Sequence, residues 1–272
     1  MWPEGKACAV TLNFHFDAEE VWLADDPGNA NKPAALSQGT YGAKRGVPLI
    51  LEMLERYSLP ATFFVPGRVA ERHPQRIEEI LKAGHDIALH GYTHRSPSGL
   101  SRDEENEEFE RALEVLRGLG ADPVGYCRTT CSNNTLSLLE KYGVKFDSSF
   151  MDDIYPYRLS DSVIELPFSW LLDDAPHFWF GDGSDWNRKI STPSEVREIW
   201  EAEFDAIYEL GGIFDLCLHP QVIGRPSRLK MLEGLLQAIL AKSDVWIASM
   251  RDVAAFVDQA LPLRAAPVTT SV

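Results

Sequence analysis

Short apolar segments alternate with amphipathic helical stretches along almost the whole of this 272-residue chain. Such alternation is restrictive, because strands separated by helices are joined by crossovers and line up in a parallel sheet. Strand-like segments fall at residues 7–17, 60–65, 86–89, 122–126, 146–149, 163–167, 211–218 and 245–248. Helical patterns occupy 48–57, 76–83, 101–119, 134–142, 193–210, 227–241 and 250–260. With about seven units in one α/β chain, a closed (β/α) barrel is favoured over an open doubly wound sheet. Helix 101–119 opens with a Ser101/Glu104 capping pattern and carries what reads as an acidic outer face. Residues 24–47, rich in Gly, Pro and Asn, read as a long loop, a lid or an oligomer contact. The tail, 262–272, is expected to fray.

Composition narrows the function. Forty-one acidic against 26 basic side chains give a net charge of −15, which argues against nucleic acid or an anionic membrane as partner. No apolar run approaches the ~20 residues of a membrane span, and residues 1–6 lack an apolar signal segment, so a cytoplasmic protein is expected. Four cysteines suit reduced thiols: Cys8 and Cys217 sit in strand-like apolar runs, and Cys127 and Cys131 have a weakly informative CxxxC spacing. No G-x-G-x-x-G or P-loop is present to hold a nucleotide.

In α/β barrels the chemistry gathers where strands end. The polar residues at those positions are His15 and Asp17, His90 and His94, Arg128, Asp147, Asp173 and Asp174, and His219. His90 and His94, four apart just past a strand end, can face one point and share a metal ion. One carboxylate, Asp17, with these two imidazoles and an open position is a catalytic metal shell, most simply for Zn²⁺. His219, before Pro220, is placed to protonate a leaving group. The period of two along 7–17 puts Asn13, His15 and Asp17 on one face. Trp170, Trp179 and Phe180 are candidates to stack on a flat ring, and Arg225 and Arg228 to hold a substrate carboxylate. His73, His85 and His177 read as ordinary satisfied or exposed histidines.

These residues stand in an ordered series: Phe16-Asp-Ala-Glu19, Ala61-Thr-Phe-Phe-Val65, His90-Gly-Tyr-Thr-His94, Tyr126-Cys-Arg128, Phe146-Asp-Ser-Ser-Phe150, Ile164-Glu-Leu-Pro167 and Leu218-His-Pro220 through Pro226. The series resembles the polysaccharide deacetylase (NodB-homology) family over nearly the whole chain. It is most similar to the intracellular amidase-like branch of peptidoglycan-deacetylase-like proteins, allantoinase-like proteins and cyclic imide hydrolases. The resemblance implies a single domain with a distorted barrel. It further implies a divalent metal held by Asp17, His90 and His94, hydrolysis of a C–N bond in a small-molecule substrate, and His219 as general acid. Arg128 joins the catalytic set, with Tyr126, Trp170 and Asp173 as candidate substrate contacts. Two positions depart from the family pattern. The general-base Asp expected two residues before the metal Asp is His15, and the Arg expected directly after Gly-Tyr is displaced by Cys127 to position 128. His15 is then a replacement base, a fourth metal ligand, or the mark of a scaffold whose chemistry is lost or changed. A silent binding protein and an isomerase using His15 and His219 are the competing readings.

Overall fold

Every residue of the first strand, β1 (Cys8–His15), is buried, and its two faces meet different surroundings. Cys8, Val10, Leu12 and Phe14 pack outward into the main apolar cluster beneath the helices. Ala9, Thr11, Asn13 and His15 take the opposite face, as the two-residue period of a strand requires. The computed structural model that shows this describes residues 1–180 and 190–262. Of the tail expected to fray, all but Pro262 lies outside the described residues.

The other strands are β2 (Thr62–Val65), β3 (Asp86–Leu89), β4 (Gly125–Tyr126), β5 (Phe146–Asp147), β6 (Tyr157–Arg158), β7 (Ile164–Glu165), β8 (Ile213–Leu218) and β9 (Val245–Ala248). They form one curled sheet in the order β6-β7-β5-β4-β3-β2-β1-β8, with β9 also paired to β1. All pairings are parallel except β6 with β7. The expected distorted barrel is present as a curled half-barrel that no strand pairing among the described residues closes, with nine strands there rather than about seven. The surplus comes from short pairings such as β6, two residues long, which carries no periodic signal. Along its length β1 changes partner on one edge, β9 beside Cys8–Thr11 and β2 beside Asn13–His15. That switch distorts the barrel.

Two further expectations change. Residues 24–47 are largely helical: a 3₁₀ turn (Pro27–Asn31), an α-helix (Pro33–Tyr41) and a π-helical turn (Gly42–Gly46) leading into the helix Val47–Tyr57. Glycines make this possible by close approach. A Cβ on Gly39 would collide with the Ala18 carbonyl, and one on Gly46 with that of Pro220. The segment is thus pressed against the backbones that follow Asp17 and His219. The second change concerns the helix Arg102–Gly118, whose capping box forms as expected. Its acidic residues are not all outward, since Glu105 and Glu108 are buried. Glu105 accepts from Ser132 Oγ and Thr135 Oγ1, both at 2.6 Å. No helix among the described residues is long and apolar enough to cross a membrane.

The barrel interior grades from apolar at one end (Ala9, Ile213, Met250) to polar beneath the strand ends. There Asp215 accepts from Thr11 Oγ1, from Asn13 Nδ2 at 2.7 Å and from Ser148 Oγ at 3.3 Å. Asp147 and Glu165 are register partners on β5 and β7. Burial pushes Asp147 up to about 7, and burial plus the Asp147 charge pushes Glu165 well up too, so the pair shares a proton.

Both features are testable. Gly46→Ala forces a methyl group onto the Pro220 carbonyl and is expected to destabilise the fold by about 1–3 kcal/mol, read by denaturant unfolding. An unchanged midpoint contradicts the packing. A carboxyl raised from its unfolded value near 3.9 contributes stability that is present at low pH and lost as pH rises towards 7. Asp147→Asn removes that loss, so the variant should gain in Tm over the native chain as pH rises from about 4 to 7. A gain independent of pH rejects the shared proton.

Candidate active site

Asp17 lies two residues beyond the end of β1, in a turn held by Glu20 N–H donating to the Asp17 carbonyl at 2.9 Å. Ala18 adopts the left-handed region, φ 45°, which is strained for a residue with a Cβ. The turn persists because its surroundings fix it. Buried Glu20 pairs with Arg68 at 3.2 Å and Arg72 at 2.8 Å, and Gly39 packs on the Ala18 backbone.

His90 follows β3 directly, and Gly91, φ 76°, turns the chain so that His94 comes back beside it; their rings lie 5.2 Å apart. This turn has no regular helix, so the pair meets through a bend. Three anchors hold it. Gly67 N–H and Arg68 N–H donate to the Gly91 and Tyr92 carbonyls. Glu108 accepts from Tyr92 N–H at 3.0 Å, Thr93 N–H at 2.6 Å and Thr93 Oγ1 at 2.8 Å. Arg128 Nη2 donates to the His94 and Arg95 carbonyls at 2.8 and 2.7 Å.

Asp17 Oδ1 is 3.6 Å from His90 Nε2, and Oδ2 is 3.7 Å from His94 Nε2 and 3.6 Å from His219 Nε2. Neither oxygen accepts a hydrogen bond, although both are fully buried. Burial accordingly pushes Asp17 up to about 6, against the pull of His219 and Arg128. Separations of 3.6–3.7 Å are long for hydrogen bonds, yet two donors each about 2.1 Å from one cation sit about 3.4 Å apart. Orphaned carboxylate oxygens facing two imidazole nitrogens thus fit a divalent ion, with Asp17, His90 and His94 as the residues able to hold it. His94 is the most open of the three.

His219, at the end of β8, is organised differently. Asp174 Oδ1 lies 2.7 Å from its Nδ1, and Asp174 Oδ2 accepts its backbone N–H at 3.0 Å. Burial alone would lower this imidazole, but Asp174 and Asp173 outweigh it and push it up to about 10. It therefore carries a proton at neutral pH. His15 is the opposite case: burial, with the nearby His219 and Arg128 charges, holds it well below 6.5 and neutral. Its ring lies 4.5 Å from that of His90 and 5.2 Å from that of His219.

His15, Asp17, His90, His94, Arg128, Trp170, Asp173 and His219 all line one cavity of about 970 Å³, together with Trp22, Phe168 and Trp179. Tyr126 does not join them. By strand parity its ring points to the outer helices, where it stacks on Phe109 at 4.9 Å, while Cys127 faces inward. Arg225 and Arg228 also stay away from the cavity wall, packed over Tyr41 and Phe178. Asp147 lies deeper in the barrel, bonded to Ser149 Oγ at 2.7 Å. Sequence reasoning missed Glu108, which one more acidic residue on an acidic helix gave no means of singling out. It named Asp173 as a substrate contact and gave Asp174 no role, although Asp174 is the closer partner of His219.

The family model for polysaccharide deacetylase matches residues 38–147. The peptidoglycan deacetylase of Helicobacter pylori is 29% identical, over 92% of this chain and 96% of that protein. A Mycobacterium smegmatis crystal structure assigned to the polysaccharide deacetylases is 39% identical, with a TM-score of 0.93, covering 98% of this chain and 96% of that one. The crystal structure of the allantoinase PuuE, 23% identical with a TM-score of 0.82 over 93% and 91% of the two chains, shares the fold. Together with the ordered motifs around the cavity, these matches give the assignment: the chain belongs to the polysaccharide deacetylase family.

Proposed function

We propose that this chain is a metal-dependent hydrolase of a non-peptide C–N bond, acting on a small amide, a cyclic imide or an N-acetyl group. The observation that carries the reading is the buried Asp17 carboxylate, both oxygens without a hydrogen-bond donor and facing three imidazole nitrogens. Asp17, His90 and His94 would hold the ion. A divalent ion there supplies Lewis acidity towards a carbonyl and makes water a better nucleophile near neutral pH.

The remaining work falls to side chains. His15, neutral and beside His90, accepts the proton of the attacking water. His219 donates from Nε2 to the departing nitrogen, while Asp174 on Nδ1 holds the ring in place and keeps it charged. Arg128 acts through the backbone, fixing the His94 and Arg95 carbonyls. Trp22, Phe168, Trp170 and Trp179 give the cavity flat apolar walls, suited to a compact substrate with a planar amide or ring.

Two measurements test this reading. Elemental analysis of the purified protein should find one divalent ion per chain, and Asp17→Asn should bind it at least about tenfold more weakly; equal binding by the variant removes Asp17 from the site. In a turnover screen of acetamides, cyclic imides and ureides, His15→Ala should lower kcat by about 10²–10⁴ on whichever is hydrolysed. Undiminished turnover excludes His15 as base. A protein that holds its metal yet hydrolyses none of them is instead a silent binding scaffold.

A further inference from the structure

Two of the ordered motifs, residues 146–150 and 164–167, take no part in the mechanism above, although each carries a fully buried carboxylate. The contacts around them lead towards the cavity. Glu165, on β7, accepts at Oε1 from Ser149 N–H and Phe150 N–H, both at 2.9 Å. Asp147, on β5, accepts at Oδ1 from Ser149 Oγ at 2.7 Å. Ser149 Oγ in turn accepts from Arg128 N–H at 2.9 Å. Arg128 Nη2 then reaches the His94 and Arg95 carbonyls.

The donor inventory sets the direction of each link. A backbone N–H only donates, so Ser149 Oγ accepts from Arg128, and its single hydrogen is left for the carboxylate. Arg128 lies past the end of β4 at Tyr126, so its N–H is outside the ladder that β4 makes with β3 and β5. A buried N–H in that position needs an acceptor from elsewhere, and the Ser149 hydroxyl provides it. The Arg128 carbonyl is held as well, by Cys131 N–H at 3.1 Å and Cys131 Sγ at 2.9 Å. With its backbone fixed at both groups, a long side chain has less freedom to lose in meeting two carbonyls at once.

We infer that Ser149 is a positioning residue: seated on Asp147 and Glu165, it holds the backbone of Arg128 so that the guanidinium clamps the turn carrying His94. Both motifs thereby gain a task, as the pedestal of an arginine that stands one residue later than the family pattern. The clamp stands on the contacts alone; only its effect on a bound ion rests on the metal-holding role proposed above for His94.

Hydrogen exchange of the metal-free chain, followed by mass spectrometry over residues 90–96, reads the clamp without the ion. That segment should exchange at least about fivefold faster in Ser149→Ala and in Arg128→Ala than in the native chain. The double variant should exchange no faster than Arg128→Ala, because the serine acts through the arginine. Zn²⁺ affinity should fall about 10–100-fold in Ser149→Ala, again with no further loss in the double variant. Ser149→Thr keeps the hydroxyl and should recover most of that affinity. Should Ser149→Ala fail to fold, Ser149→Cys replaces it, since its sulfur is nearly isosteric but accepts hydrogen bonds weakly. Native exchange in Ser149→Ala, losses that multiply in the double variant, or a Ser149→Thr chain as impaired as Ser149→Ala overturn the inference. If the native chain holds no Zn²⁺, the hydrolase reading falls while hydrogen exchange still decides the clamp.

Discussion

A carboxylate buried without a hydrogen-bond donor is the constraint on which this architecture turns. Leaving such a group unpaired costs several kcal/mol, so a fold keeps one only when something else will neutralise it. Around Asp17 the compensating groups are nitrogens of His90, His94 and His219, drawn from two other strand ends and each 3.6–3.7 Å away. At that separation no hydrogen bond forms, the His219 and Arg128 charges compensate only in part, and burial pushes the carboxyl upward. An ion held there, as proposed, would gain what the hydrogen bonds do not provide.

Holding such a deficit open demands a rigid frame, and the frame is built from backbone. Ala18 sits at positive φ, Gly39 and Gly46 press a helical strap onto the two chain reversals after Asp17 and His219, and Glu108 binds three donors of the turn between His90 and His94. None of these residues lines the cavity. They prevent the donors from relaxing into hydrogen bonds with one another, which is the collapse an unpaired carboxylate would otherwise drive.

The sequence made the donors themselves legible, because strand ends in a parallel barrel converge and the polar residues there are few. His15 and Asp17 followed from the period of β1, and His90, His94 and His219 from the ends of β3 and β8. What it could not convey was parity in the shortest strands: β4 is two residues long, too short for alternation to say that Tyr126 faces out and Cys127 in. Nor could it reveal the strap at 24–47, whose helices lack a strong apolar stripe and are set by close backbone approach that only glycine allows. Glu105 and Glu108 escaped for a related reason. A buried carboxylate on a helix rich in exposed ones differs only in its partners, and those partners come from distant loops.

The two departures from the family pattern become one change when the contacts around them are considered together. With an imidazole at position 15, a guanidinium aimed at it would oppose its protonation, since like charges in a buried site raise the cost of both. Arg128 gives its Nη2 to the His94 and Arg95 carbonyls and so clamps the turn between His90 and Arg95, while its charge still reaches His15 and helps hold it neutral. On the other side of the barrel the Cys217 sulfur lies 3.4 Å from Nε2 of the His15 ring. In the proposed mechanism an imidazole stands as base where the family pattern has a carboxylate, and the guanidinium is turned elsewhere. A carboxylate facing a guanidinium and an imidazole with the guanidinium turned away are each internally consistent, whereas an imidazole facing a guanidinium would oppose its own protonation.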